Sequence, residues 1–287
     1  MTLNNLDWND IWTEMMRANQ KNDHEKRGDC ANLWDSRENA ERFWERSRKN
    51  KARVEKTLNE LPLYPNYSVL DIGAGPGSLA IPLAERVSHV TAVEPGKGML
   101  EILQENIDQY GLDNISCVNK RWEDLDVNND LKGSHDIVIA SFSLGMPDIR
   151  EAIEKMQTAS SKYVCLYWFA GETPWDAHSR KLWPLLYGKE YIPSPRCDVL
   201  YNVLYNMGIY PDMHVFPLEY NNSFSSMDEA VDFFKSRYTI DNQQQEEIIR
   251  NYLEEVLEKQ GDQLVEGGHT TRVKLWWQMQ TEEQKSR

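Results

Sequence analysis

The sequence contains no apolar run long enough to cross a bilayer, and its first residues lack the apolar core of a signal peptide. Cysteine is scarce: Cys30, Cys117, Cys165 and Cys197 fall at no paired metal-binding spacing. The histidines form no His-x-x-x-His or Cys/His cluster. These gaps argue against a membrane span, a disulfide-stapled domain and a zinc centre, and they lead us to expect reduced thiols in the cytoplasm. A Gly-Lys-Ser/Thr loop is missing as well, which sets aside the phosphate cradle of ATPases. Basic residues are in deficit, with 32 Lys and Arg against 46 Asp and Glu and a net charge of -14. Binding a polyanion needs cationic surface to displace counterions, so the balance argues against nucleic acid as a partner, although local basic patches are compatible with it. No repeat or low-complexity linker divides the 287 residues, which read as one domain with an appendage.

What is present is concentrated between residues 66 and 94. Val69, Leu70 and Ile72 read as a short strand, Gly73, Ala74, Gly75, Pro76 and Gly77 as a tight turn, and Ser78 to Arg86 as a helix. His89 to Glu94 then reads as a second strand ending in an acid. Glycines in the turn let a ligand approach the main chain, and the free amides of the first helical turn face it. Glu94 can accept two hydrogen bonds from a ribose diol, so a nucleoside cofactor is the guest that fits. A nicotinamide dehydrogenase fits less well, because Gly73, Gly75 and Gly77 match Gly-x-Gly-x-x-Gly poorly.

The run Val-Leu-Asp-Ile-Gly-Ala-Gly-Pro-Gly resembles the first motif of the class I S-adenosylmethionine-dependent methyltransferases, and the likeness extends over roughly residues 66 to 170. The resemblance implies an α/β fold, a Rossmann-like doubly wound, seven-stranded, mostly parallel sheet whose last strand is inserted antiparallel, here with a helical N-terminal extension. It implies S-adenosylmethionine as cofactor, lying over Gly73, Ala74, Gly75 and Gly77 with its ribose on Glu94. Asp71 would support the loop and the methionine amino group, while Pro95, Gly96 and Met99 would flank adenine and ribose. Two departures follow. Where the family often places an Asp to accept from the adenine amine, this chain has Arg121 and Trp122, and arginine cannot accept. The adenine edge is therefore assigned to Trp122, by its amide or its ring, with Glu123 or Asp124 as acceptor. At the end of the fourth strand, Ser141, Phe142 and Ser143 replace the Asn/Asp-Pro-Pro-Phe/Tyr motif of planar-amine methylating members, which disfavours those subclasses. Ser141 is placed where cofactor and acceptor meet.

The remaining chain is read as a helical cap over residues 1–60 and a methyltransferase domain over 61–280. Trp8, Trp12, Trp34 and Trp44 either pack on the domain or cover a substrate cavity, and an aromatic face can do both. Asp148 and Glu151 match a capping box. Segment 171–210, dense in Trp, Tyr and His, is either a substrate lid or core, and it carries His178 as the candidate general base. Gly267 and Gly268 suggest a turn before a final strand at 270–279. Together these readings predict S-adenosylmethionine-dependent methyl transfer to a small-molecule acceptor, without metal. Methylation of protein or RNA, or a non-catalytic partner of another methyltransferase, is the alternative. Oligomeric state is left open.

Overall fold

The structure, a computed structural model, describes residues 6–27, 34–49, 51–240 and 242–279. Cys30 and Leu33 lie outside them. Among the described residues, three helices lead in: α1 (Trp8–Arg27), α2 (Arg37–Lys49) and α3 (Lys51–Asn59). The alternating core follows as β1 (Ser68–Ile72), α4 (Ala80–Ala84), β2 (His89–Val93), α5 (Lys97–Tyr110), β3 (Ile115–Val118), α6 (Val127–Asp130) and β4 (His135–Ser141). Next come α7 (Ile149–Ala159), β5 (Ser160–Phe169), α8 (Pro174–Tyr187), α9 (Cys197–Asn206) and β6 (Asp212–Phe224). The chain closes with α10 (Met227–Arg237), α11 (Gln243–Val256), β7 (Glu258–Gln260) and β8 (Gln263–Gln278).

Seven strands form one sheet in the order β3-β2-β1-β4-β5-β8-β6, with β7 paired on β8 outside that path. The β1, β2, β3, β4 and β5 pairings are parallel, and β8 runs antiparallel to both β5 and β6. This is the doubly wound sheet with an inserted antiparallel strand. Central strands are buried on both faces, which is why β1 and β4 read as near-continuous apolar runs. One face packs against α1, α7 and α9 through Trp12, Ile153 and Leu200. The other packs against α3, α4 and α5 through Leu58, Leu83 and Leu103. Local signals end the helices as expected: the Asp148 carboxylate accepts from the Glu151 amide (3.0 Å), and Gly111 closes α5 in the left-handed region.

The last hairpin departs from the sequence reading. Gly267 and Gly268 make no turn but lie within β8, opposite Asn221 and Tyr220. The β5–β8 pairing stops at Phe169 and Arg272, whereas β6 and β8 continue together to Phe224 and Leu264. This overhang projects past the carboxyl ends of the parallel strands. There α8, α10 and α11 pack on it around Leu182, Trp183, Phe224, Phe234, Tyr238 and Leu253, a third core separate from the two sheet faces. Segment 171–210 thus divides between layers: α8 belongs to this cap, and α9 packs on the sheet.

Candidate active site

The glycine loop leaves β1 and is tied at once to the end of β2, because the amides of Gly73 and Ala74 both donate to the Val93 carbonyl (2.8 and 3.1 Å). A Cβ at Gly73 would sit 2.4 Å from the Ser143 Cβ, and one at Gly77 would sit 2.6 Å from Leu103 Cδ1, so these positions are closed by packing. Gly75 differs. A Cβ there would meet only the Met99 sulfur, at 4.0 Å, so its backbone (φ +56°) borders open space.

Glu94 lies beside this opening and is only 6% exposed. Its carboxylate accepts from the Gly75 amide (2.8 Å) and the Gly96 amide (2.7 Å), joining the two turns that follow β1 and β2. Burial raises its pKa, and the two amides work against that rise. An ionised carboxylate has about four acceptor positions, so Glu94 keeps capacity for hydroxyl donors. Asp71 is more deeply placed, 2% exposed, with Oδ2 lacking any partner. Burial first, and the neighbouring Glu94 second, push its carboxyl up to about 7. A buried acid in this condition calls for a cationic or donor partner. S-adenosylmethionine would fit this set, with a diol for Glu94 and positive charge for Asp71.

The turn after Glu94 is covered from above. A Cβ at Gly96 would fall 2.9 Å from the Trp34 Cβ, and one at Gly98 would fall 2.7 Å from the Ser36 carbonyl carbon. The Lys97 amide donates to Asp35 (2.9 Å), and Arg37 forks onto Glu105 (2.8 and 2.9 Å). Met99, 4% exposed, packs here with Ala40, Trp34 and Trp44, while Pro95 is half-buried at the edge. Sequence reasoning named Trp34 as a possible cavity cover but missed Asp35, Ser36 and Arg37 at this place. The signal was Gly96-x-Gly98, since glycine pairs mark close backbone approach. Trp12 is core rather than cavity lining: it is fully buried, and its indole donates to the Met146 carbonyl (2.9 Å).

Two expectations need correction. The Trp122 ring is taken up by packing, which leaves only the amide of the two contacts expected of this residue: the ring is buried against α7, donates to the Ala152 carbonyl (3.0 Å) and lies under the Lys155 ammonium. That ammonium also takes the Trp122 and Glu123 carbonyls (2.5 and 2.9 Å), leaving the Glu123 side chain in solvent. His178 is no free base either. Nδ1 pairs with the Tyr252 hydroxyl (2.6 Å) and Nε2 with the Glu266 carboxylate, which also accepts from Asn222 (3.1 Å). The histidine thus cross-links α8, α11, β8 and β6 inside the cap.

At the end of β4, Ser141 is half-buried and Phe142 takes φ +58°, an uncommon conformation for an aromatic residue. Its ring lies 4.8 Å from Phe169, which meets Trp175 edge-on at 5.1 Å. These rings form a line from the strand ends to the cap.

A family model for a methyltransferase domain matches residues 69–161, which span β1 to the start of β5 and include the loop, Asp71, Glu94 and Ser141. The fold is shared with the YcgJ protein of Bacillus subtilis (TM-score 0.53, 16% identity, 79% of this chain and 98% of that one). A methyltransferase-like protein of Bacillus halodurans shares it too (TM-score 0.55, 13% identity, 80% and 100%). The methyltransferase-domain match takes in about a third of the chain, and the two solved structures share its fold.

Among curated sequences, the chain is 32% identical over 167 residues to an uncharacterized protein of Haemophilus influenzae, covering 56% of this chain and 58% of that protein. It is 39% identical over 66 residues to a 23S rRNA (uracil(1939)-C(5))-methyltransferase of Alkalilimnicola ehrlichii, covering 23% and 15%. It is 40% identical over 100 residues to ribosomal RNA small subunit methyltransferase G of Mycolicibacterium smegmatis, covering 34% and 40%. In each case the chain spans less than two-thirds of the relative's length. These RNA-modifying relatives overturn the expectation that net charge sets nucleic acid aside. A total of -14 says nothing about where the cations lie. No grouping of metal ligands occurs among the described residues, and no helix there is long and apolar enough to cross a membrane.

Proposed function

We propose that this methyltransferase transfers a methyl group from S-adenosylmethionine to an acceptor enclosed between the ends of β4 and β5 and the α8–α10–α11 cap. The observation that carries this reading is the opening at Gly75 beside Glu94 and the unpartnered Asp71. Bound there, the cofactor would supply an activated methyl group, its sulfonium sulfur leaving as the neutral thioether when the acceptor takes the methyl. Glu94 accepts from the ribose while keeping the two turns joined. Asp71 meets the positive charge of the cofactor. Trp34 to Arg37 cover the ribose side and exclude water, so the protein contributes chiefly alignment and desolvation.

The rRNA relatives support an RNA acceptor, with its target base drawn into the enclosure. The cap and the Phe142–Phe169–Trp175 line favour an acceptor that enters as one compact planar group, which a single base or a free metabolite satisfies. We place the reaction in the cytoplasm. Labelled S-adenosylmethionine incubated with total RNA, with total protein and with a metabolite extract tests the reading. Enzyme-dependent label in RNA or in the metabolite fraction is expected; label confined to protein, or in none, counts against it.

A further inference from the structure

The methyltransferase reading leaves one cluster unused. On the face of β8 toward α3, Thr270 and Arg272 stand two residues apart and are 4% and 3% exposed. Thr270 Oγ1 and Arg272 Nε and Nη1 are buried without a hydrogen-bond partner. Such groups are costly to leave unsatisfied, and an arginine in that state is rarer still. The guanidinium stacks on Phe216, 4.0 Å from the ring centre. Stacking satisfies its face and leaves its in-plane N–H edges in need of acceptors.

A second guanidinium approaches from α3. Arg53 lies 5.1 Å from the centre of the Phe142 ring, at the end of β4. It is reached by solvent, yet enough protein surrounds it that desolvation lowers its pKa. It is near enough to Arg272 for the two charges to disfavour each other; burial first and then Arg53 bring Arg272 down to about 10. Lys56 stands over Phe216, and the Lys274 ammonium donates to the Glu60 backbone carbonyl. The acid at hand is Glu60, whose side chain faces His214 at 3.7 Å and leaves Oε2 unpartnered. Cations are thus in surplus here, in a chain whose total charge is strongly negative.

The cluster adjoins the acceptor enclosure, because Arg272 pairs with Phe169 across β5–β8 and Arg53 covers Phe142. We propose that Arg272, Thr270 and Arg53 form an oxyanion-binding subsite for the acceptor, which carries a phosphate or carboxylate group beside the atom to be methylated. Two guanidinium edges and a hydroxyl match the planar or tetrahedral oxygens of such a group. The inference rests on the methyltransferase reading for its meaning as an acceptor subsite.

The test uses the full chain and two probes, inorganic phosphate and acetate, each read by saturable thermal stabilisation against chloride at equal ionic strength. Affinity for S-adenosylhomocysteine is measured in parallel. At least one probe should bind saturably, its half-saturating concentration rising tenfold or more in Arg53→Ala and its effect vanishing in Arg272→Met. S-adenosylhomocysteine affinity should be unchanged in Arg53→Ala, a solvent-reached helix position that leaves the fold intact. Preference for phosphate assigns a phosphoester acceptor, and preference for acetate a carboxylic acid. No saturable response to either probe, or a response untouched in both variants, overturns the subsite even where the cofactor analogue binds. Failure of the analogue itself to bind overturns the methyltransferase reading instead.

Discussion

Replacing Asp71 with Asn isolates the electrostatic cost of the site. In the folded protein the Asp71 carboxyl rises from 3.8 to about 7, through burial first and the charge of Glu94 second. A rise of that size corresponds to roughly 4 kcal/mol of stability lost when the group must ionise. The folded state holds this proton more tightly than the unfolded one. Stability from this group is therefore full below pH 3.8, falls as pH rises and has been lost above about pH 7. The neutral, isosteric Asp71→Asn variant cannot show that decline. Urea unfolding of the ligand-free protein between pH 5 and 8.5 should find wild type losing a few kcal/mol over the range. The variant should lose markedly less, with the residual slope arising from Glu94, whose pKa is also raised by burial. Saturating S-adenosylmethionine should flatten the wild-type curve, because a cationic partner favours ionised Asp71. Parallel curves for wild type and variant would refute the argument, since Asp71 would then be ionised without cost.

Glu94→Ala removes the proposed ribose acceptor and the link between the Gly75 and Gly96 amides. Calorimetry should show cofactor affinity falling by about 2 kcal/mol, roughly 30-fold, with far-UV circular dichroism preserved. Gly75→Val places a branched side chain in the open space beside Met99 at a positive φ; cofactor binding should be undetectable, and normal binding would contradict the loop geometry. Trp12→Ala empties a fully buried site and strands the Met146 carbonyl. It should cost about 3–5 kcal/mol in denaturant unfolding. Burial pushes the Glu266 carboxyl up, but His178, Asn222 and Arg237 together outweigh this and hold it below 4.5. Stability from the pair is therefore present above pH 4.5 and lost as pH falls through the lowered value. Glu266→Gln should remove that acid sensitivity from thermal unfolding.

The parts of the molecule legible in the sequence are those with local causes. The Gly73–Gly77 loop, Glu94 at the end of β2 and the Asp148 cap depend on neighbours within a turn or one βα unit, so residue type and spacing reveal them. The site's remaining features depend on long-range contacts. Trp122 looks like a candidate adenine platform from its position after β3, but α7, some thirty residues later, supplies the Ala152 carbonyl that takes its indole. His178 looks like a base because its partners, Tyr252 and Glu266, are separated from it by 74 and 88 residues. Gly267 and Gly268 resemble a turn until β6 is placed opposite them. Net charge misled for a related reason: a sum over 287 residues conceals local cations such as Lys56 and Arg272 on Phe216, Lys274 on the Glu60 carbonyl and Arg53 on Phe142.

The central claim, that the opening at Gly75 is a S-adenosylmethionine site, is tested most directly by isothermal titration of the purified protein with S-adenosylhomocysteine, with NAD as control. The account predicts saturable binding of one equivalent of S-adenosylhomocysteine and none of NAD. Binding of neither, or of NAD alone, would contradict it.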